Sequence, residues 1–148
     1  MRIFCGTEVP KLDEATAARV AAAFDELGEY SKDAGVTPML ECGHDIVEGA
    51  PEIAMILGKI TTANFCALWN HSVIDDATLN AIRSRLRHLH VHNDVLDPQS
   101  DAILHLSKKL KPLGYQGYVC LEIIENKNLE ESLLIETAKR LKRFMAEA

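Results

Sequence analysis

Basic charge is scarce in this chain. Sixteen Lys and Arg stand against 22 Asp and Glu, a formal net charge of −6 in 148 residues with a pI near 5.5. A general nucleic-acid binder needs a basic footprint, so the expectation is no nucleic-acid partner. The densest basic stretch, Arg83, Arg85 and Arg87, reads as the solvated end of a helix rather than a phosphate site. The four cysteines, Cys5, Cys42, Cys66 and Cys120, are scattered with no C-x-x-C pair. That spacing suits reduced, mostly buried thiols better than a disulfide framework or a zinc cluster. Long apolar runs are missing too, because Arg19 interrupts the alanine-rich stretch that comes nearest to membrane-spanning length. Met1 is followed at once by the strand-like Arg2-Ile3-Phe4, so the expectation is no signal peptide. The expectation is a soluble cytoplasmic protein without a membrane partner. There is no G-x-G-x-x-G, no Walker loop and no G-x-S-x-G elbow, which removes support for dinucleotide, nucleotide and α/β-hydrolase chemistry.

What is present is an ordinary globular composition, 47% hydrophobic and 26% charged, in a length that fits one domain with a real core. Short β-rich runs alternate with helical ones. Strands are expected over 2–5, 37–41, 63–70, 86–92 and 118–124. Between them, helices are expected over 13–34 with Gly35 at the stop, 51–58 opened by Pro51, 75–84 capped by Asp75 or Asp76, and about 100–114. A last helix starts with a capping-box-like Asn128 and Glu131, and Leu129, Leu133, Leu134, Leu141, Phe144 and Met145 trace its apolar face. The result is α/β, a (βα)₅ order whose helical crossovers imply parallel strands and right-handed connections.

The most informative run is His88-Leu89-His90-Val91-His92. In a strand, side chains alternate between faces, so the three imidazoles share one face and the aliphatics the other. This describes either one wall of a polar pocket, with metal ligation as the first possibility, or an edge strand with solvated histidines. In parallel sheets ligands collect at the C-terminal ends of strands. The polar residues concentrate there: Glu41 on the second strand, Asn70 on the third, His90 and His92 on the fourth and Glu122 late in the fifth. Glu41 and Glu122 both lie inside apolar runs, where a carboxylate is costly unless paired or metal-bound. Glu41, His90 and Glu122 offer two carboxylates and an imidazole, a donor set matched to Mn²⁺, Mg²⁺, Co²⁺ or Zn²⁺. Trp69 reads as core or as a platform for a sugar ring. His44 and His71, just past strand tips, read as further ligands or as solvent-facing loop residues.

Four segments then align with a known pattern: Met39-Leu40-Glu41, Leu68-Trp69-Asn70, His88-Leu89-His90-Val91-His92-Asn93-Asp94, and Gly114-Tyr115-Gln116-Gly117-Tyr118-Val119-Cys120-Leu121-Glu122. In this order they resemble the second half of the xylose isomerase-like TIM-barrel superfamily, which holds sugar and sugar-phosphate isomerases and epimerases and endonuclease IV-like enzymes. Arg2-Ile3-Phe4-Cys5-Gly6 is similar to its fourth-strand segment. The resemblance implies the fourth to eighth strands of a barrel, a parallel (βα)₅ portion incomplete as a single chain. It also implies a divalent-metal site formed by Glu41, Asn70, His90 and Glu122, with Asn70 standing where the family has aspartate. Asn70 keeps a carbonyl oxygen but loses one negative charge, and His71 is out of register with the family's histidine three residues beyond.

The activity implied is metal-dependent isomerisation or epimerisation of a sugar or sugar phosphate. Glu41 and Glu122 would flank the substrate carbon, one removing a proton to give an enediolate and the other returning it. His88, His92 and Trp69 would orient ligands or substrate. A non-catalytic half-barrel is the alternative, and an endonuclease IV-like phosphodiesterase ranks below both because the chain is acidic. A closed barrel takes eight strands and about 250 residues. Five strands expose edges, so a homodimer is expected, with a separate partner chain as the other way to complete the barrel.

Overall fold

The structure is a computed structural model that describes residues 1–6, 12–123 and 129–146. The expected strand end at Ile124, the capping residue Asn128 and the side chain of Phe144 lie outside what is described. Five strands alternate with five α-helices in the expected order. The chain divides into two compact units, Met1–Asn70 with Asp75–Arg87, and His71–Ile74 with His88–Ala148. Among the described residues no helix is long and apolar enough to cross a membrane.

The first unit carries β1 (Arg2–Ile3), α1 (Glu14–Lys32), β2 (Met39–Cys42), α2 (Ala50–Leu57), β3 (Cys66–Trp69) and α3 (Asp76–Ile82). β1 pairs with β2, and β2 with β3, all parallel, with Arg2 opposite Met39 and Glu41 opposite Leu68. Both long-range helix starts follow their caps. The Asp13 carboxylate accepts from the Thr16 N–H at 2.7 Å, and Asp75 accepts from the Thr78 N–H at 2.8 Å. Leu40, Ile53, Ile56 and Leu68 are fully buried, and Phe24 of α1 stacks on Phe65 with ring centroids 4.9 Å apart. This layering of helix on strand is what the apolar stripes of α1 and α2 are for.

One sequence expectation fails here. Arg83 and Arg87 are exposed, but Arg85 is not part of a solvated helix end. Its guanidinium donates to the carbonyls of Ile60 at 2.6 Å, Thr62 at 3.0 Å and Phe65 at 3.0 Å. A five-donor fork is suited to closing a turn whose carbonyls have no ladder partner, and charge counting along a sequence does not reveal that demand.

The second unit carries the histidine strand β4 (Leu86–Val91, its first two residues counted with the first unit), α4 (Ala102–Leu110), β5 (Tyr118–Leu121) and α5 (Glu131–Ala146). β4 and β5 are parallel, with His88 opposite Tyr118 and His90 opposite Cys120. Leu89, Val91, Val95, Ile103, Leu106 and Leu110 form its buried core. Ser72 ties the segment 71–74 to the end of β4, donating to Asp94 at 2.6 Å and accepting from the His92 N–H at 2.9 Å. Arg140 of α5 repeats the arginine solution, donating to the carbonyls of Val95 and Asp97. β5 is more open than its sequence suggested. Tyr118, Cys120 and Ile123 are exposed, so the apolar run around Glu122 does not bury it.

Candidate functional site

In the second unit the alternation of β4 does what its sequence implied. Leu89 and Val91 enter the core, while His88 and His90 share the other face with rings edge-to-face at 5.2 Å. Glu122, one residue past β5, brings its carboxylate to both neighbouring histidines. His90 Nδ1 lies 3.2 Å and His92 Nε2 3.7 Å from Glu122 Oε2. The register places this meeting: the Glu122 N–H donates to the Val91 carbonyl at 2.9 Å, which sets Glu122 level with the end of β4. His71 stands edge-on to His92 at 5.6 Å. Burial, and then the charge of His90, hold the His88 pKa below its ordinary 6.5. Burial and then His71 lower that of His92, against the opposing pull of Glu122 and Asp94. Both rings are thus biased toward the neutral form, the form that ligates metal.

In the first unit Glu41 is almost fully buried on β2, and Arg2 of β1 meets it with Nε 3.1 Å from Oε2. A permanently charged guanidinium on the adjacent strand offsets much of the cost of burying the carboxylate. His44 Nε2 approaches the same oxygen at 3.8 Å, and its other nitrogen is 2.9 Å from Asp45. Asn70 follows β3 directly, its N–H donating to the Cys42 carbonyl at 3.0 Å. Trp69 is buried. Burial, then Asp45, pushes the Cys5 thiol up to about 12, and burial, Cys5 and Glu41 do the same for Cys42, which disfavours the reactive thiolate.

The structure therefore brings His90, His92 and Glu122 together, with His88 against His90. It also surrounds Glu41 with cationic and imidazole groups. The donor chemistry of His90 and Glu122 fits a divalent ion, since donors on adjacent corners of an octahedral or tetrahedral ion with bonds of about 2.1 Å lie about 3 to 3.4 Å apart. Arg2, Asp45 and Tyr118, which stands 6.1 Å from the His88 ring, were missed in the sequence. His44 was already a candidate from its place just past the tip of the second strand.

Parallel strands alternating with helices, with polar side chains at their C-terminal ends, have the fold of part of a TIM barrel. The chain is similar to the solved 3-keto-D-glucoside 4-epimerase of E. coli, at TM-score 0.70 and 14% identity over 91% of this chain and 56% of that one. It is likewise similar to a D-psicose 3-epimerase solved with D-fructose, at TM-score 0.66 and 16% identity over 93% and 57%. A D-allulose 3-epimerase from Methylomonas sp. matches at TM-score 0.69 and 16% identity over 96% and 59%. Identities this low make the likeness one of fold, and the chain spans a little over half the length of these structures. No protein-family model matches the sequence, and no curated protein matches it.

Proposed function

We propose that the chain carries the metal-binding and proton-transfer portion of a divalent-metal-dependent sugar or sugar-phosphate isomerase or epimerase. The observation behind this reading is the Glu122 carboxylate seated on His90 and His92, in a fold whose solved neighbours are sugar epimerases. Glu41, Asn70, His90 and Glu122 would hold the ion, with Mn²⁺, Mg²⁺, Co²⁺ or Zn²⁺ as candidates. When bound, it supplies positive charge beside adjacent substrate oxygens and so favours loss of a proton from the carbon between them. The rest falls to the protein. Glu41, beside Arg2, acts as one proton acceptor; Glu122, more open to solvent, acts as the other. His88 and His92 hold the His90 and Glu122 side chains in place. Trp69 is buried in the core, directly before Asn70 in the chain.

Asn70 favours a second reading, a half-barrel that binds sugar without turning it over, because the site carries one negative charge fewer than the family pattern. For the strand edge at β5, where Tyr118 and Cys120 are exposed, we propose a homodimer, with a separate partner chain as the alternative. A monodisperse monomer in light scattering at micromolar concentration would overturn the homodimer.

The decisive experiment is a melting scan with and without Mn²⁺ on protein of measured metal content. Binding to the folded state raises the melting temperature with metal concentration. The expected shift disappears in Glu41→Ala and in His90→Ala. Metal-dependent turnover of a panel of ketoses and aldoses, abolished by Glu122→Gln with the fold retained, would establish the enzyme. A metal shift without turnover would favour the binding reading, and no metal with no shift would remove the site.

A further inference from the structure

The segment 71–74 lies between β3 and α3 in the chain, yet it packs with the second unit. Alternate residues carry the attachment: Ser72 and Ile74 are buried, while Val73 is exposed. At one end His105 Nε2 of α4 lies 3.0 Å from the Ile74 carbonyl oxygen. At the other, Ser72 meets the end of β4. The carbonyl of Val91 and the N–H of His92 belong to one planar peptide and point in opposite directions. That carbonyl accepts from the Glu122 N–H at 2.9 Å, and that N–H donates to Ser72 Oγ at 2.9 Å. One peptide plane is thus pinned from β5 on one side and from Ser72 on the other. The polarity of the Ser72 contact is fixed as well. Asp94 Oδ1 lies 2.6 Å from Ser72 Oγ, and a carboxylate only accepts. The hydroxyl proton therefore goes to Asp94, at the short distance of a charge-assisted bond, and a lone pair is left for the His92 N–H. Arg140 of α5 holds the turn that follows, through the carbonyls of Val95 and Asp97.

The pinned peptide joins two residues whose side chains meet. It carries His92, and its carbonyl holds the backbone of Glu122. Glu122 Oε2 in turn lies 3.7 Å from His92 Nε2 and 3.2 Å from His90 Nδ1. We infer that Ser72, oriented by Asp94, is a positioning residue for the Glu122 carboxylate, acting through the 91–92 peptide and His92. The inference rests on the reading of His90 and Glu122 as ion ligands and adds the residues that set their spacing from behind. Removing a group that orients a ligand in this way typically changes metal affinity by about 10- to 100-fold.

The test titrates Mn²⁺ into the full chain by calorimetry and follows the His92 amide by hydrogen exchange. Ser72→Ala is expected to weaken Mn²⁺ binding about tenfold, the low end for such groups, and to speed exchange at His92. Ser72→Thr keeps the hydroxyl and is expected to recover both. A serine with a structural role alone would lower the urea midpoint and leave the Mn²⁺ affinity of the folded chain unchanged. That result overturns the positioning role and leaves the ion reading intact. Weakening that Ser72→Thr does not recover assigns the effect to packing and overturns the role too. Where Ser72→Ala fails to fold, the exposed Asp94 decides. Asp94→Ala is expected to weaken binding and Asp94→Asn, whose amide oxygen still accepts, to recover it; equal affinities in the two overturn the inference. A wild-type chain that binds no Mn²⁺ removes the ion reading and this inference with it.

Discussion

Glu41 and Glu122 are both glutamates at the C-terminal ends of parallel strands, and the two units treat them in opposite ways. Glu41 is 1% exposed and meets a guanidinium that never loses its charge. Glu122 is 30% exposed and meets two imidazoles. A buried carboxylate must bring its countercharge with it, whereas a half-exposed one can exchange partners at little cost. The difference gives the first unit a buried carboxylate with a permanent countercharge and the second an open carboxylate paired with titratable imidazoles.

The largest test of this contrast is Arg2→Ala. It leaves the Glu41 carboxylate buried without its guanidinium and is expected to cost about 3 kcal/mol, the low end for such pairs because Arg2 is half-exposed. Glu122→Gln is expected to cost less than about 1 kcal/mol. Urea unfolding with unchanged m-values would report both, and equal losses would dissolve the contrast.

Gly28→Ala sharpens it from the packing side. A Cβ there would meet Thr62 Cγ2 at 2.6 Å and the Asn64 carbonyl oxygen at 3.0 Å. Overpacking of about 2 kcal/mol is expected, read as a lower urea midpoint, because the backbone oxygen cannot yield.

Acidification should separate the units. A histidine whose folded pKa lies below 6.5 binds fewer protons folded than unfolded, as His88 and His92 do. Its stabilisation is present above 6.5 and lost as pH falls through the lower folded value. Asp25 in the first unit behaves likewise from a lower starting point. Burial raises its pKa, but the N–H groups of Thr62 and Thr61 and the Thr61 hydroxyl outweigh that and hold it below 3.8. Its stabilisation persists above 3.8 and is lost only in stronger acid. Residue-resolved hydrogen exchange should therefore show protection around β4 and β5 falling before protection in α1, and simultaneous loss would contradict the ordering.

The smallest effect is chemical. Iodoacetamide at neutral pH should label the exposed Cys120 first and leave Cys42 and Cys5, pushed up to about 12, until unfolding. Early labelling of Cys42 would mean that the first unit opens around Glu41.

Much of the frame was legible because it rests on local physics. Strand–helix alternation, the Asp75 cap, the Pro51 start and the separate face of Leu89 and Val91 all follow from periodicity and backbone hydrogen bonding. The candidates His90 and Glu122 were visible because strand tips in parallel sheets are where ligands gather. Their actual pairing was not, since it depends on the register of β4 against β5. Glu122 looked buried from its neighbours Leu121 and Ile123, yet Ile123 is exposed. Flanking residues report hydrophobicity, not which side of a strand end is covered.

The same division holds across the chain. By itself the sequence determined the order of the elements and the residue types offered at the strand ends, because each depends on contacts within a few residues, and the helical crossovers between strands implied their parallel connection. Tertiary structure alone decided that Arg85 and Arg140 close turns, that Arg2 compensates Glu41, and that Ser72 pins the end of β4. All of these join residues far apart in the chain, and hydrophobic pattern does not encode which donor meets which acceptor.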